Sequence, residues 1–457
     1  MVTTPTLTDA AVQGLAAGLR GRLLQPGDDG YDAARTVWNA MVDRHPALIA
    51  RCTGAADVIA AVRFAREHDL LVSVRGGGHN VAGNAVCDDG LMIDLSPMKS
   101  VRVDPVAMTA RAEPGVLWAE FDRETQAFGL ATVGGVVATT GIAGLTLGGG
   151  IGYLTGKHGL TCDNLLAADV VTADGQLRRA SATEHEDLFW ALRGAGHNFG
   201  VVTSFEYRLH PVGPLVLGGM VLHPFDRARE VLRCYREFAA TQPDELTTYV
   251  AILTGPDGSL VVALIPCYAG DLEAGERALA PLRSFGAPIA DMVAPITYVA
   301  QQSLTAEAFP HGRQSYWKSS VLHAITDAAI ETIIEYAGRI PSPFSAILFE
   351  HRHGAYGRVG ATDTAFGLRD TPFSLLMLSS WADQAERDRN IGWTREFHQA
   401  MRPYLSLGGY VNDLDGDEGE ERIRASYGGN YARLAALKAT YDPTNFFRMN
   451  QNIKPAQ

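Results

Sequence analysis

Between residues 125 and 156 the chain carries no charge, and ten positions in that stretch are glycine. An uncharged run of that length could cross a bilayer. Its composition argues against it. Glycines and threonines interrupt the Val, Ile and Leu residues, whereas a spanning helix needs continuous aliphatic surface. Glycine at this density suits tight loops whose bare backbone presses against a ligand.

Two more glycine clusters flank this run. Arg75-Gly76-Gly77-Gly78-His79-Asn80 follows the apolar segment 70–74, which reads as a strand. The amides of such a loop can close on a phosphate or another oxygen-rich group. After three glycines no neighbouring side chain shields His79, so its imidazole can meet a ligand directly. Within the uncharged run, Gly141-Ile142-Ala143-Gly144-Leu145-Thr146-Leu147-Gly148-Gly149-Gly150-Ile151-Gly152 can lay its backbone along an extended ligand. The third cluster, Arg193-Gly194-Ala195-Gly196-His197-Asn198-Phe199-Gly200, contains GxG but not GxGxxG. It follows a helical segment and precedes a strand, the reverse of the dinucleotide fingerprint, so an NAD-type site is disfavoured while another nucleotide is not.

The 457 residues are 46% hydrophobic and 20% charged, enough for two domains with large cores. The net charge of −12 argues against a nucleic-acid or anionic-membrane partner. Five cysteines, none closer than 33 residues to the next, form no CxxC pair. This pattern points to a reducing, cytoplasmic setting without a metal site. Residues 8–20 read as a short amphipathic helix, not as a signal peptide.

Helical spacing marks 55–69, 116–129 and 187–193; strands are expected at 70–74, 91–95, 165–172 and 201–209, with a hairpin over 101–104 and 109–112. His210-Pro211-Val212-Gly213-Pro214 reads as a domain boundary. Beyond it, strand-like runs at 215–222, 247–253, 259–268, 344–351 and 373–381 alternate with helices at 227–242, 272–284, 327–340 and 385–401. That order suggests an α+β domain, an antiparallel sheet with helices on one face.

The three glycine clusters, in this order and joined by Gly408-Gly409-Tyr410-Val411-Asn412-Asp413-Leu414-Asp415 and the segment 427–453, resemble the covalent FAD-linked oxidases of the vanillyl-alcohol oxidase superfamily, in its berberine-bridge-enzyme-like branch. The resemblance implies an α+β fold with a PCMH-type FAD-binding domain over 1–211, a substrate domain over 212–412, and a C-terminal return, 413–457, packing on the FAD domain. It implies that Arg75, Gly76, Gly77, Gly78, His79, Asn80 and Gly83 form the flavin loop, with the His79 imidazole bonded to the flavin 8α-methyl. Further FAD contacts are implied at Thr139, Thr140, Gly141, Ile142, Gly144, Leu145, Gly149, Gly150 and Gly152, then at Gly200, Val201, Val202, Asn450 and Asn452. The family's second, cysteinyl tether would stand at Val137, so a single covalent bond is expected.

In this family the residue at Ile142 governs oxygen access, and its β-branch favours O2 as electron acceptor. Tyr410-Val411-Asn412 is similar to the substrate-side YxN motif, but Asp413 replaces the tyrosine that often follows as base. Glu350, on an apolar strand facing the flavin, is the leading alternative base, with a structural ion pair to Arg352 as the competing role. Tyr249, Tyr316 and Trp317 are candidates for an aromatic pocket.

The implied activity is oxidation of a C–H next to O or N in a small secondary-metabolite, alkaloid or sugar substrate, with H2O2 as product. Alternatives within the same fold are a flavin-N5-oxide oxygenase on a polyketide-like substrate, which Thr139, Thr140, Leu145 and the missing second tether would suit, and a dehydrogenase. A flavin-free binding protein on the same scaffold would be colourless.

Overall fold

The computed structural model describes residues 7–457; the first six positions of the unit expected over 1–211 lie outside the described residues. Strands Arg22–Leu24, Leu48–Arg51, Leu91–Asp94 and Val72–Arg75 form one small sheet in that spatial order. Leu48–Arg51 and Val72–Arg75 both run parallel to Leu91–Asp94. A parallel pair needs a long crossover, here supplied by helix Ala55–Glu67, which buries Val58, Ala61, Val62 and Ala65. A second sheet is antiparallel, ordered Val101–Asp104, Thr109–Ala112, Val201–Arg208, Leu165–Val171, Leu177–Ser181. The hairpin expected over 101–112 forms with the expected bounds.

Strands from Leu215 onward enter a third, nine-stranded sheet and pair with no strand of the first half. Its central strands are antiparallel: Leu260–Tyr268, Leu246–Thr254, Ala346–His351, Phe373–Trp381 and Gln314–Leu322. Alternation assigns the two faces. Val250, Ile252, Val262, Leu264, Ile347, Phe349, Leu375 and Met377 pack under helices Ala228–Ala239, Leu272–Arg283, Asp327–Ala337 and Arg387–Met401. The other face turns toward the first domain. Register places Tyr249, Glu350 and Ser374 in one row across it, Ala251, Leu348, Leu376 and Ser319 in the next, and Leu253, Ala346, Leu378 and Trp317 in the third.

Three expectations change. The run 215–222 is two strands, Leu215–Gly218 and Val221–Pro224, broken at Gly219; both pair with Leu260–Tyr268, but their second partners differ, Ala294–Thr297 for the first and Ala290–Asp291 for the second. Strand Gln314–Leu322 was not expected. Residues 142–147 of the glycine-rich run, read as a loop, form a short helix, Ile142–Leu147.

The C-terminal helix Tyr431–Tyr441 and the coil after it lie on the first domain: Tyr427, Leu434 and Ile453 join the core of Trp118, Phe189 and Phe199. Among the described residues no helix is long and apolar enough to cross a membrane. All five cysteines are unpaired.

Candidate active site

Strand Val72–Arg75 delivers the loop Gly76-Gly77-Gly78-His79 against the start of helix Ile142–Leu147. The two backbones touch. A Cβ on Gly77 would stand 2.6 Å from the Gly141 Cα, and one on Gly141 would stand 2.5 Å from the Gly77 nitrogen. No other residue allows that approach. Gly144 differs: a Cβ there would meet nothing within 4 Å, because it would enter open space.

That space is a cavity of about 1390 Å³, including its mouth. One wall is the glycine loop with His79 and Asn80, next to Thr140, Gly141, Gly144 and Leu145; the facing wall carries Glu350, Leu376 and Trp317; and Tyr410, Asn412 and Asp413 stand at the side. A second cavity shares Gly76, Gly144, His197 and Asn450 with the first and continues to Gly200, Val201 and Val202. Together they make one elongated channel. Its bare amides, the open side of Gly144 and an unclaimed buried imidazole nitrogen fit an extended flavin dinucleotide.

That nitrogen is His79 Nε2, enclosed and without a hydrogen-bond partner. Burial, followed by the neighbouring His311, pushes the His79 pKa down to about 3. The ring is therefore neutral near pH 7, and neutral imidazole is the form that acts as a nucleophile.

Across the cavity, Glu350 is buried and Asp413 is half-buried. Burial raises Glu350; a hydrogen bond from Ser374 Oγ at 2.7 Å and the nearby Arg352 charge hold the rise back. Burial raises Asp413 much further, reinforced by the Glu350 charge and opposed by Arg352 and by a long 3.5 Å bond from Ser319 Oγ. A negative charge on Glu350 makes ionisation of Asp413 harder. Glu350 has the closer hydrogen-bond donor, Ser374 Oγ at 2.7 Å against Ser319 Oγ at 3.5 Å for Asp413, and the smaller rise, so Glu350 is the first of the two to ionise. The competing role for Glu350, an ion pair with Arg352, does not form. The Arg352 guanidinium donates instead to Tyr356 Oη and the Phe373 carbonyl.

Tyr410 Oη accepts hydrogen bonds from the Gly150 amide (2.8 Å) and Asn412 Nδ2 (2.7 Å). Asn412 Nδ2 also donates to the Leu145 carbonyl at 3.0 Å, tying the motif to the helix beside the glycine loop. With both acceptor positions occupied, the Tyr410 proton is left to be donated. Burial, then Asp413, raises the phenol well above its ordinary pKa, so Tyr410 is a donor and not a base.

Several expected contacts stand outside the cavity walls. The Arg75 guanidinium turns away to the Ala34 carbonyl. Gly83 packs on Val42, Gly149 on Phe366 and Gly152 on the Gly134 carbonyl. Gly150 reaches the site only through Tyr410. The Thr139 hydroxyl is buried without a partner. Asn452 bonds to Asn445. Ile142 is 0% exposed and packs inward with Val116, Trp118 and Leu147, because the helical turn points it into the core. It forms no part of the cavity surface past which O2 would travel. Of the aromatic candidates, only Trp317 lines the cavity. Tyr316 points through the sheet to Asp417, at 2.7 Å, and Tyr249 is buried beside Glu350 in the sheet.

The sequence reading missed His197 as a wall residue. Its Nε2 donates to the Gly144 carbonyl at 2.9 Å and so fixes the middle of the channel; its place in the third glycine cluster was the available signal. Val137, where the second tether would stand, lines the cavity, while Cys162 is fully enclosed elsewhere.

The wall segment at Gly135 has its own support. Gln302 Nε2 donates both to the Gly135 carbonyl (3.1 Å) and to Asp122 Oδ2 (3.0 Å). Asp122 Oδ1 has no partner, and burial pushes this carboxyl up to about 7. A carboxyl with a raised folded-state pKa favours the native state while protonated and loses that contribution as pH climbs through the folded value. Asp122→Asn should therefore match the wild-type Tm near pH 4 and become progressively more stable than wild type between pH 4 and pH 7. A constant Tm difference across that range would show that Asp122 does not titrate there.

The FAD binding domain family model matches residues 46–181, and the berberine and berberine-like model matches residues 409–454. An FAD-linked oxidoreductase of Dictyostelium discoideum is 35% identical over 92% of this chain and 91% of its own length. The (R)-6-hydroxynicotine oxidase of Paenarthrobacter nicotinovorans is 32% identical over 96% of this chain and 97% of its own. The crystal structure of 6-hydroxy-D-nicotine oxidase from Arthrobacter nicotinovorans superposes with a TM-score of 0.87 at 31% identity, covering 96% of this chain and 98% of that one. With its two-part fold, its glycine-lined channel and full-length relatives of this kind, the chain belongs to the berberine-bridge-enzyme-like family of FAD-linked oxidases.

Proposed function

We propose that this enzyme carries FAD bonded to His79, oxidises a C–H next to O or N of a small substrate, and passes the electrons to O2 to give H2O2. The observation that carries this reading is one cavity with a neutral, unpartnered histidine on one wall and a buried carboxylate with a raised pKa on the other. FAD, when bound, supplies the hydride acceptor. The chain supplies the rest. Glu350 takes the proton from the substrate hydroxyl or ammonium as the hydride leaves. Tyr410 donates a hydrogen bond into the same space. The apolar side chains of Trp317, Leu376 and Leu378, on two neighbouring rows of the sheet, hold the substrate body and exclude water.

The cavity walls include no Lys or Arg side chain, so an anionic substrate would face two carboxyls with no counter-charge. A neutral or cationic substrate fits the site. Val137 in the wall supports a single tether.

A panel of small alcohols and amines, scored first by anaerobic bleaching of the flavin, identifies substrates. In air, each turnover should then release one H2O2. Substrate consumed without H2O2, with oxygen retained in the product, would replace the oxidase reading with the oxygenase one. Bleaching without reoxidation by air would indicate a dehydrogenase.

A further inference from the structure

One ring contact at the attachment histidine has no role in the reading above. Trp38 lies just after helix Tyr31–Arg35 and is 2% exposed. Its indole stacks on the His79 imidazole, with centroids 4.6 Å apart and planes 21° from parallel. His311 stands edge-on to the same imidazole at 6.3 Å, and Trp317 packs edge-on to Trp38 at 5.4 Å. The Trp38 backbone is held as firmly. Its amide donates to the Gly78 carbonyl (3.0 Å), and its carbonyl accepts from the Gly312 amide (3.2 Å). Its indole Nε1 donates to the Phe309 carbonyl at 3.0 Å. The next residue, Asn39, bridges the carbonyls of Val81 and Ser315. Trp38 thus joins the His79 loop to the segment of the second domain that leads into strand Gln314–Leu322.

We propose that Trp38 is the positioning residue for formation of the His79–flavin bond. The inference rests on the reading of His79 as the attachment site. Three glycines before His79 place no limit on its ring, and Nε2 has no hydrogen bond to fix it. The indole face is the contact that holds the neutral imidazole in one orientation. The reaction replaces a C–H of the flavin 8α-methyl with a C–N bond. One proton leaves the methyl carbon and one leaves the imidazole, and the two electrons left on the flavin pass to O2, which takes up two protons to give H2O2. Holding the nucleophile in place lowers the barrier to the C–N step. Trp38 is not among the residues that line the cavity and acts only through His79.

The test uses apoprotein from riboflavin-limited cells, mixed with FAD in air. Acid-insoluble flavin is followed with time, and bound but extractable flavin is measured alongside. Trp38→Phe keeps a ring face and should attach flavin at close to the wild-type rate. Trp38→Leu should still take up FAD but attach it roughly tenfold more slowly, the rate equivalent of losing about 1.4 kcal/mol of aromatic contact. Attachment by Trp38→Leu at the wild-type rate overturns the proposal while leaving His79 as the attachment site. So does loss of FAD uptake in both variants, because Trp38 would then support the cavity and not the bond. If Trp38→Leu does not fold, Trp38→Met, which has bulk without a ring face, is read by the same criteria. Fully extractable flavin in wild type defeats the attachment reading, and this proposal with it.

Discussion

Glu350→Gln is expected to slow anaerobic flavin reduction by about 10²–10⁴-fold, the usual contribution of a positioned base. Uptake of FAD and its attachment should be unchanged, because Glu350 lies on the wall opposite His79. Glutamine keeps the shape and can still bond to Ser374, so the loss belongs to the proton acceptor. The variant also removes the charge that helps raise Asp413. Asp413 then ionises more readily and can carry a residual rate, which Glu350→Gln/Asp413→Asn should abolish. In wild type, the reduction rate should rise with pH as Glu350 ionises, through a value above its ordinary 4.5 because burial raises it. Reduction of Glu350→Gln at the wild-type rate would make Glu350 structural and move the base to Asp413.

Lys438→Met should cost about 3–5 kcal/mol of stability, the typical consequence of leaving a buried charge without its partner. Lys438 and Asp442 are both fully enclosed, with Nζ 2.6 Å from Asp442 Oδ2. Nζ also donates to the carbonyls of Asn198 (2.7 Å) and Phe447 (2.9 Å), while Asp442 accepts the amides of Phe446 and Phe447. This knot sets the path of the chain into Asn450, which lines both parts of the channel. The measured result should be a lower denaturation midpoint together with weaker FAD retention. Lys438→Met/Asp442→Asn, which removes both charges, should recover part of the loss. A Lys438→Met protein as stable as wild type would mean that the Lys438–Asp442 pair does not hold the C-terminal segment in place.

Much of this arrangement was legible in the sequence because it depends on local chemistry. Glycines are needed where the Gly77 and Gly141 backbones touch, and the first-domain helices and strands carry clear apolar periods. Strand Gln314–Leu322 was hidden because neither of its faces is uniformly apolar. Ser315, Trp317 and Ser319 alternate toward the cavity. Lys318 on the opposite face pairs with Asp417 (2.5 Å) and Glu418 (2.8 Å), partners about a hundred residues away. The break at Gly219 follows from a close approach between segments: its φ is +123°, and a Cβ there would stand 2.3 Å from the Met292 carbonyl oxygen. Ile142 was expected to govern oxygen access because the family resemblance places that role at its position. One helical turn sends its side chain into the core and leaves Gly141 and Gly144 at the surface of the channel. Trp38 carried no sequence signal at all, since its partners, His79 and the 309–312 segment, come together only in the fold.

The account stands most directly on where the flavin is held. Purified protein is precipitated with acid, the pellet is digested, and flavin-bearing peptides are sequenced by mass spectrometry, with His79→Ala treated in parallel. The expected result is a yellow pellet, a single flavin peptide containing His79 and no cysteine, and a His79→Ala protein whose flavin passes to the supernatant. Flavin released wholly into the supernatant by the wild-type protein, or found on a peptide without His79, would contradict it.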